Sequence, residues 1–220
     1  MFEKHKVERA QKHQNDALAR WQHERDSYAQ LVQIAREFCG TTSDALMLKP
    51  AEAVFYTVTG CALVEERRGA GHYVGGSSGV SIPVASIGGH SVRYRVGASR
   101  GHYVAGEAAP TAIDTGTVFV TNQRVVFTGS RQTRECLFAR TIGVSHDDAA
   151  GETTIAVSNR QKPTVIHYGP ALAGTFDFRL ALAMAHFKGT VADFVGAMQA
   201  QLAGIDAARP GGPLPPPPGG

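Results

Sequence analysis

Two short apolar runs, Val118-Phe119-Val120 and Val125-Val126-Phe127, flank Thr121-Asn122-Gln123-Arg124. The runs are β-branched and aromatic, too short for helices, and bounded by Gly116 and Gly129. They read as the two strands of an antiparallel hairpin. The turn is Asn122-Gln123, where Asn tolerates the left-handed backbone that a two-residue loop demands. Around this hairpin the period of two continues. Val92, Tyr94 and Val96 alternate with Arg93 and Arg95, as in a half-buried strand. His102–Gly106 reads as a short strand and Ile113-Asp114-Thr115-Gly116 as a turn. Arg134–Phe138 leads into Ile142–Val144, and Thr153–Ser158 with Pro163–Tyr168 form a hairpin around Asn159-Arg160-Gln161-Lys162. Residues about 90–170 are therefore expected to form a compact, mostly antiparallel β-module.

The flanks are helical. From Met1 to Cys39 there is no Pro or Gly, and residues about 4–38 read as one long helix. Its seam of Leu18, Trp21, Tyr28, Val32 and Ala35 has 3–4 spacing, broken by Arg25 and widened by Leu31, Ile34 and Phe38. The first half is nearly all polar, so the helix is expected to project at its start and pack at its end. Gly40 is placed to cap it. Either a coiled-coil arm or a helix docked on its own domain fits this seam. At the other end Phe176, Leu180, Ala183 and Phe187 recur at helical spacing until Gly189. Val191, Phe194, Val195, Met198 and Leu202 form a second amphipathic helix up to Gly204.

Four regions follow: 1–40, a helix and possible coiled-coil arm; 41–90, an extended segment; 91–204, the β-module with two C-terminal helices; and 205–220, a Pro/Gly-rich tail without core-forming residues. In the second region Thr41-Thr42-Ser43-Asp44 starts a turn or short helix that ends before Pro50. Ala53–Glu66 reads as one or two strands, bulged at Gly60. Gly69–Gly79 reads as a Gly-rich loop, but it has neither phosphate-loop spacing nor a following helix. Gly71-His72-Tyr73-Val74-Gly75-Gly76 recurs as Gly101-His102-Tyr103-Val104-Ala105-Gly106, thirty residues on. Two copies do not make a solenoid; they mark equivalent strand-edge positions or a coincidence.

Charge is unevenly placed. The net +3 arises from a balanced stretch over residues 1–91, +4 over 92–140 and −1 over 141–220. The basic stretch holds Arg93, Arg95, Arg100, Arg124, Arg131, Arg134 and Arg140 and no Lys. Arg suits bidentate grip on phosphate or carboxylate, yet alternate arginines also mark the solvent side of strands. Three cysteines in no metal or disulfide pattern point to a reducing compartment. No eighteen-residue apolar run and no signal-peptide core occur, so the expectation is a cytoplasmic chain without a transmembrane segment, peripheral at most to the inner membrane face.

No catalytic residue, metal ligand or cofactor emerges. His72, His90, His102, His146 and His167 lack ligand spacing with each other or with Cys61 and Cys136. Cys136 sits in a strand, Ser77-Ser78 lack a nucleophile elbow, and Asp147-Asp148 and Glu65-Glu66 read as solvated charge. Arginines interleaved with Tyr94, Tyr103 and Phe127 resemble a base-stacking sheet, but a pI near 8.8 falls short of the usual basicity of nucleic-acid binders.

The stretch Asp114-Thr115-Gly116-Thr117 through Phe127 resembles the hairpin of GRAM and bacterial PH-like domains: a Gly, alternating apolar residues, Thr-Asn-x-Arg, two apolar residues and Phe. Over these fourteen residues the likeness is sharp, and over 90–187 it is loose. It implies an α+β fold, an antiparallel PH-like barrel or sandwich closed by a C-terminal helix, with the long N-terminal helix added. It also implies a non-catalytic binding or scaffolding module for an anionic membrane head group or a protein partner. Candidate ligand-binding residues are Arg124, Arg131, Arg134, Arg93 and Arg95. Self-association through residues 1–38 makes a structural adaptor the alternative. A single-stranded nucleic-acid binder and an enzyme of unrecognised type are further alternatives.

Overall fold

A computed structural model describes residues 2–68, 72–87, 90–104 and 108–210; of 2–4, 6, 68, 72–87, 90–104 and 108 it describes the backbone alone. The fold is α+β, with an N-terminal helix, a seven-stranded antiparallel sheet and two C-terminal helices.

The Pro- and Gly-free N-terminus forms α1, Phe2–Glu37. Its second half docks. Val32 and Ala35 are buried, and the helix runs antiparallel to α3, Val191–Ala207. Polar hooks fix the pairing: Trp21 Nε1 donates to the Ile205 carbonyl (2.7 Å), Arg25 Nε to Asp206 (3.0 Å) and Tyr28 Oη to Gln201 (2.7 Å). Gly40 sits beyond the helix at φ 90°, where a Cβ would stand 2.6 Å from that of Ala53. Among the described residues no helix is long and apolar enough to cross a membrane.

The sheet is built on β1, Val54–Arg68. With β4 (Ala108–Thr121), β5 (Arg124–Gly129), β6 (Thr133–Leu137), β7 (Thr141–Asp147), β8 (Glu152–Val157) and β9 (Thr164–His167), its order is β6-β5-β4-β1-β9-β8-β7. β1 pairs with β4 along its length and with β9 at Ala62–Val64, and the expected bulge occurs at Gly60, φ 73°. The segment before residue 91 thus supplies the central strand of the sheet, paired with strands that come after it. Its alternating Val54, Tyr56, Val58 pattern already marked it as a strand, though not as the central one. Asp114-Thr115-Gly116 lies within β4, not in a turn. Nor does the sheet close on itself. β6 has five residues and runs into the short 3₁₀ turn Phe138–Arg140, so β6 and β7 remain the two ends of the order. A side-chain contact, Cys136 Sγ to Thr164 Oγ1 (3.4 Å), links β6 to β9 instead.

α2, Ala173–Lys188, covers the sheet with buried Phe176, Leu180, Leu182 and Ala183, stops at left-handed Gly189 and leads into α3. α3 runs through Gly204, which is not left-handed, to Ala207.

The remaining strands form a separate antiparallel ribbon of β2, His72–Ile87, and β3, His90–Val104. The expected glycine loop is thus strand from residue 72 onward, and residues 69–71 lie outside the described ones. The sequence echo is paired with itself: His72 faces Val104, Tyr73 faces Tyr103 and Val74 faces His102.

Candidate functional site

The five candidate arginines occupy three kinds of place. Arg124 opens β5, beside the β4–β5 turn. Its Nε and Nη2 bind both oxygens of Glu52 (2.7 and 2.9 Å), Nη1 binds Glu135 (2.6 Å), and Nη2 also reaches the Met47 carbonyl (2.8 Å). The Glu52 side chain is fully enclosed and that of Arg124 is 11 % exposed. Burial pushes the Glu52 carboxyl up, but hydrogen bonds from Arg124, the Lys49 N–H and Thr121 outweigh it and hold it below the usual range. Hydrogen bonds from Lys49 and Arg124 hold Glu135 low as well. Burial alone would lower the Arg124 guanidinium; Glu52 and Glu135 raise it instead. Arg124 is therefore a wall cation, engaged inside the protein.

The same turn explains the Thr-Asn-x-Arg pattern. Thr121 Oγ1 donates to Glu52 (2.7 Å) and accepts from the Arg124 N–H (2.9 Å). Asn122 accepts from the Ala53 N–H (2.9 Å) and donates to the Ala51 carbonyl (3.0 Å), while Gln123 Nε2 donates to the Pro50 carbonyl (2.9 Å). Asn122 does not adopt the left-handed conformation expected of it. Ala51 does, at φ 60°. The Asn amide is used to clamp the 47–53 segment rather than to ease the turn.

Arg131 and Arg134 lie at the opposite end of the β5–β6 hairpin. Asp114 shapes the turn there, accepting from Arg131 N (2.8 Å), Gln132 N (2.7 Å), Thr115 N (2.9 Å) and Ser130 Oγ (3.2 Å). Burial pushes the Asp114 carboxyl up, but these donors prevail and hold it low. Arg131 is exposed beside a shallow hollow of about 340 Å³ that also borders Asp114. Arg134 is half-buried. It binds Gln132 Oε1 (2.6 Å) and Glu65 Oε1 (2.9 Å). Arg93 and Arg95 lie on β3, and their side chains fall outside the described residues.

Arg134 lines a pocket of about 430 Å³ between β1, β6 and the β8–β9 turn, together with Glu65, Arg160, Lys162 and Thr164. Arg160 Nη1 donates to Thr164 Oγ1 (2.8 Å), which fixes the guanidinium over β9. Lys162 is exposed, and among the described residues neither Arg160 nor Lys162 forms a salt bridge. Three cations thus meet one carboxylate, already paired with Arg134. Such a lining can attract an anion by charge and grip it with planar guanidinium donors. The sequence reading missed Arg160 and Lys162 because residues 141–220 are net negative as a whole; the local signal was two cations in one four-residue turn.

A second polar chain runs from Asp177 to His146 Nε2 (3.0 Å), from His146 Nδ1 to Thr153 Oγ1 (2.9 Å) and on to Tyr168 Oη (2.8 Å). Thr153 is wholly buried, so this chain pins α2 to β7, β8 and the end of β9 and offers no accessible nucleophile. No group of three metal-ligating side chains occurs among the described residues. Cys61 and Cys136 are buried free thiols, and burial pushes Cys61 up to about 11. No family model, no curated protein and no solved structure matches this chain.

Proposed function

We propose that the chain is a non-catalytic binding module of PH-like type, and that its Arg134–Arg160–Lys162 pocket takes a phosphate-bearing head group. The convergence of those three cations on one pocket with a single carboxylate carries the reading. A pocket of about 430 Å³ lies within the range that holds a small ligand. The PH-like part rests on connectivity. One antiparallel meander, β1-β4-β5-β6, is followed by a second, β7-β8-β9, which returns to β1 before α2 covers the sheet. On that reading β2 and β3 are an insertion between the first two strands of the meander.

Titration with inorganic phosphate and glycerol phosphate at low salt, followed by amide chemical shifts, tests the site. The amides of residues 134, 160–162 and 164 are expected to shift, the shifts to fade with added salt, and Arg160→Gln with Lys162→Gln to remove them. Unmoved amides at those positions would refute the pocket.

One observation favours an adaptor as a second reading. Residues 8–13 of α1 are exposed and lie N-terminal to Trp21, whose indole reaches the Ile205 carbonyl near the end of α3. Removing residues 1–18 spares buried Val32 and Ala35. Under this reading that deletion lowers the mass seen by light scattering; an unchanged mass argues against it.

A further inference from the structure

The β2–β3 ribbon has a composition unlike the rest of the chain. From Arg67 to Gly106 there is no Asp or Glu. The paired strands span about 50 Å at ~3.3 Å per residue. Among the described residues no helix and no other strand packs extensively on either of them. An isolated two-stranded ribbon is marginal in water, so a surface that covers one face adds directly to its stability.

The register divides the ribbon into three parts. Next to the sheet, the His-Tyr-Val copies pair. In the middle, Gly75 to Gly79 faces Gly101 to Gly97, a small-residue stretch with weak strand preference. The far end is amphipathic. Val80 faces Val96, Ile82 faces Tyr94 and Ala85 faces Val92. Directly paired residues share a face, and so do positions two apart on one strand, so these six fall on one face. Ser81 paired with Arg95, and Pro83 paired with Arg93, fall on the other.

We propose that the far end of the β2–β3 ribbon docks on an anionic lipid surface, with the Val80, Ile82, Val92, Tyr94 and Val96 face in the interfacial layer and Arg93 and Arg95 among the head groups. Three observations select lipid over other occupants. Residues 69–92 carry neither Asp, Glu, Lys nor Arg, so entry into a low-dielectric layer meets no formal side-chain charge other than that of a protonated His. The arginines begin immediately after it and number three on β3, Arg93, Arg95 and Arg100, which suits a lipid surface potential better than the dense phosphate track of a nucleic acid. Tyr94 stands where the apolar and basic positions adjoin, as interfacial aromatics do. The proposal goes beyond the pocket reading and does not depend on it.

The test is co-sedimentation of the full chain with phosphatidylserine/phosphatidylcholine vesicles and with phosphatidylcholine alone. Wild type is expected to pellet only with the anionic vesicles. Ile82→Asp with Val96→Asp is expected to weaken this at least tenfold, and Arg93→Gln with Arg95→Gln severalfold. The thermal melt should not change, because the sheet does not lean on the ribbon. Arg160→Gln with Lys162→Gln, which removes two of the pocket's cations, is the comparison and is expected to weaken vesicle binding less than the Asp pair does. In an Ile82→Trp variant the added emission should shift to the blue with vesicles and be quenched by brominated lipid. Four results would overturn the proposal. They are wild type that ignores anionic vesicles, vesicle binding lost with the pocket pair but kept with the Asp pair, Asp-pair variants that change oligomer mass and leave lipid binding intact, and retention of single- or double-stranded DNA but not vesicles through Arg93 and Arg95. In each of these the phosphate titration still decides the pocket separately.

Discussion

The two ends of the β5–β6 hairpin use arginine in opposite ways. At one end Arg124 meets two carboxylates and a carbonyl within 2.9 Å and is nearly enclosed. At the other, Arg134 shares its pocket with Arg160 and Lys162 and finds one carboxylate for the three cations. The contrast teaches that an arginine's role follows from how many of its donors the fold already satisfies. Position in a basic stretch does not reveal this. The largest expected effect tests it directly. Arg124→Met leaves the enclosed Glu52 carboxylate without its cation and is expected to cost about 3–5 kcal/mol in urea denaturation. Arg160→Met leaves no buried charge behind and is expected to stay within about 1 kcal/mol. Equal losses at both ends would break the comparison.

The pocket end is rigid for a different reason, its close backbone approach. A Cβ on Gly116 would stand 2.1 Å from the Thr128 carbonyl oxygen, and one on Gly129 would stand 2.3 Å from Asp114 Oδ2. Gly116→Ala and Gly129→Ala are each expected to destabilise by about 1–3 kcal/mol through overpacking. Gly116 is the harder case, because the obstacle is backbone. Gly143, with nothing within 4 Å, is the control, and its Ala variant should melt within about 0.5 kcal/mol of wild type. Should Gly129→Ala melt like the control, the Asp114-held turn is pliable, and the pocket wall moves with it.

Acid sharpens the contrast further. The Glu52 carboxyl is held below its ordinary 4.5 in the folded chain. Its contribution is thus present above pH 4.5 and lost as pH falls through the lower folded value. Wild-type stability is expected to decline on acidification from about pH 4.5 downward. In Arg124→Met burial acts on Glu52 without its cation, so that decline should flatten or reverse. Urea midpoints measured across this range check it. A decline of unchanged slope would place the acid sensitivity elsewhere.

Much of the fold could be read from local pattern. The Pro- and Gly-free stretch gave α1, the Gly60 bulge sits in β1, and Gly189 ends α2. Partnership between distant segments was not legible. Nothing local in Val54–Arg68 says that it lies between β4 and β9, and that pairing joins residues more than a hundred positions apart. The same limit hid the pocket, whose lining comes from three separate segments. The echo of His-Tyr-Val was visible, but its meaning required the register that sets Tyr73 opposite Tyr103. Arg124 stood out in the Thr-Asn-x-Arg pattern, but its carboxylate partner was not legible there, since Glu52 lies 72 residues before it.

The smallest expected effect concerns the clamp itself. Ala51 holds φ 60°, a conformation that costs a non-glycine residue about 1–2 kcal/mol, and the Asn122 amide bound to its carbonyl keeps it there. Ala51→Gly removes that strain but gives the unfolded chain more freedom, which takes back about 0.4–1 kcal/mol. The net expectation is stabilisation of at most about 1 kcal/mol, read as a small rise in urea midpoint with an unchanged slope. Asn122→Ala should act in the opposite direction and more strongly, because it removes two hydrogen bonds to the 51–53 segment. In the Ala51→Gly background the Asn122→Ala loss should grow, since release of the strain at residue 51 no longer offsets part of it. Strictly additive losses would mean that the clamp and the strain are independent, and that the Arg124 end is rigid through its ion pairs alone.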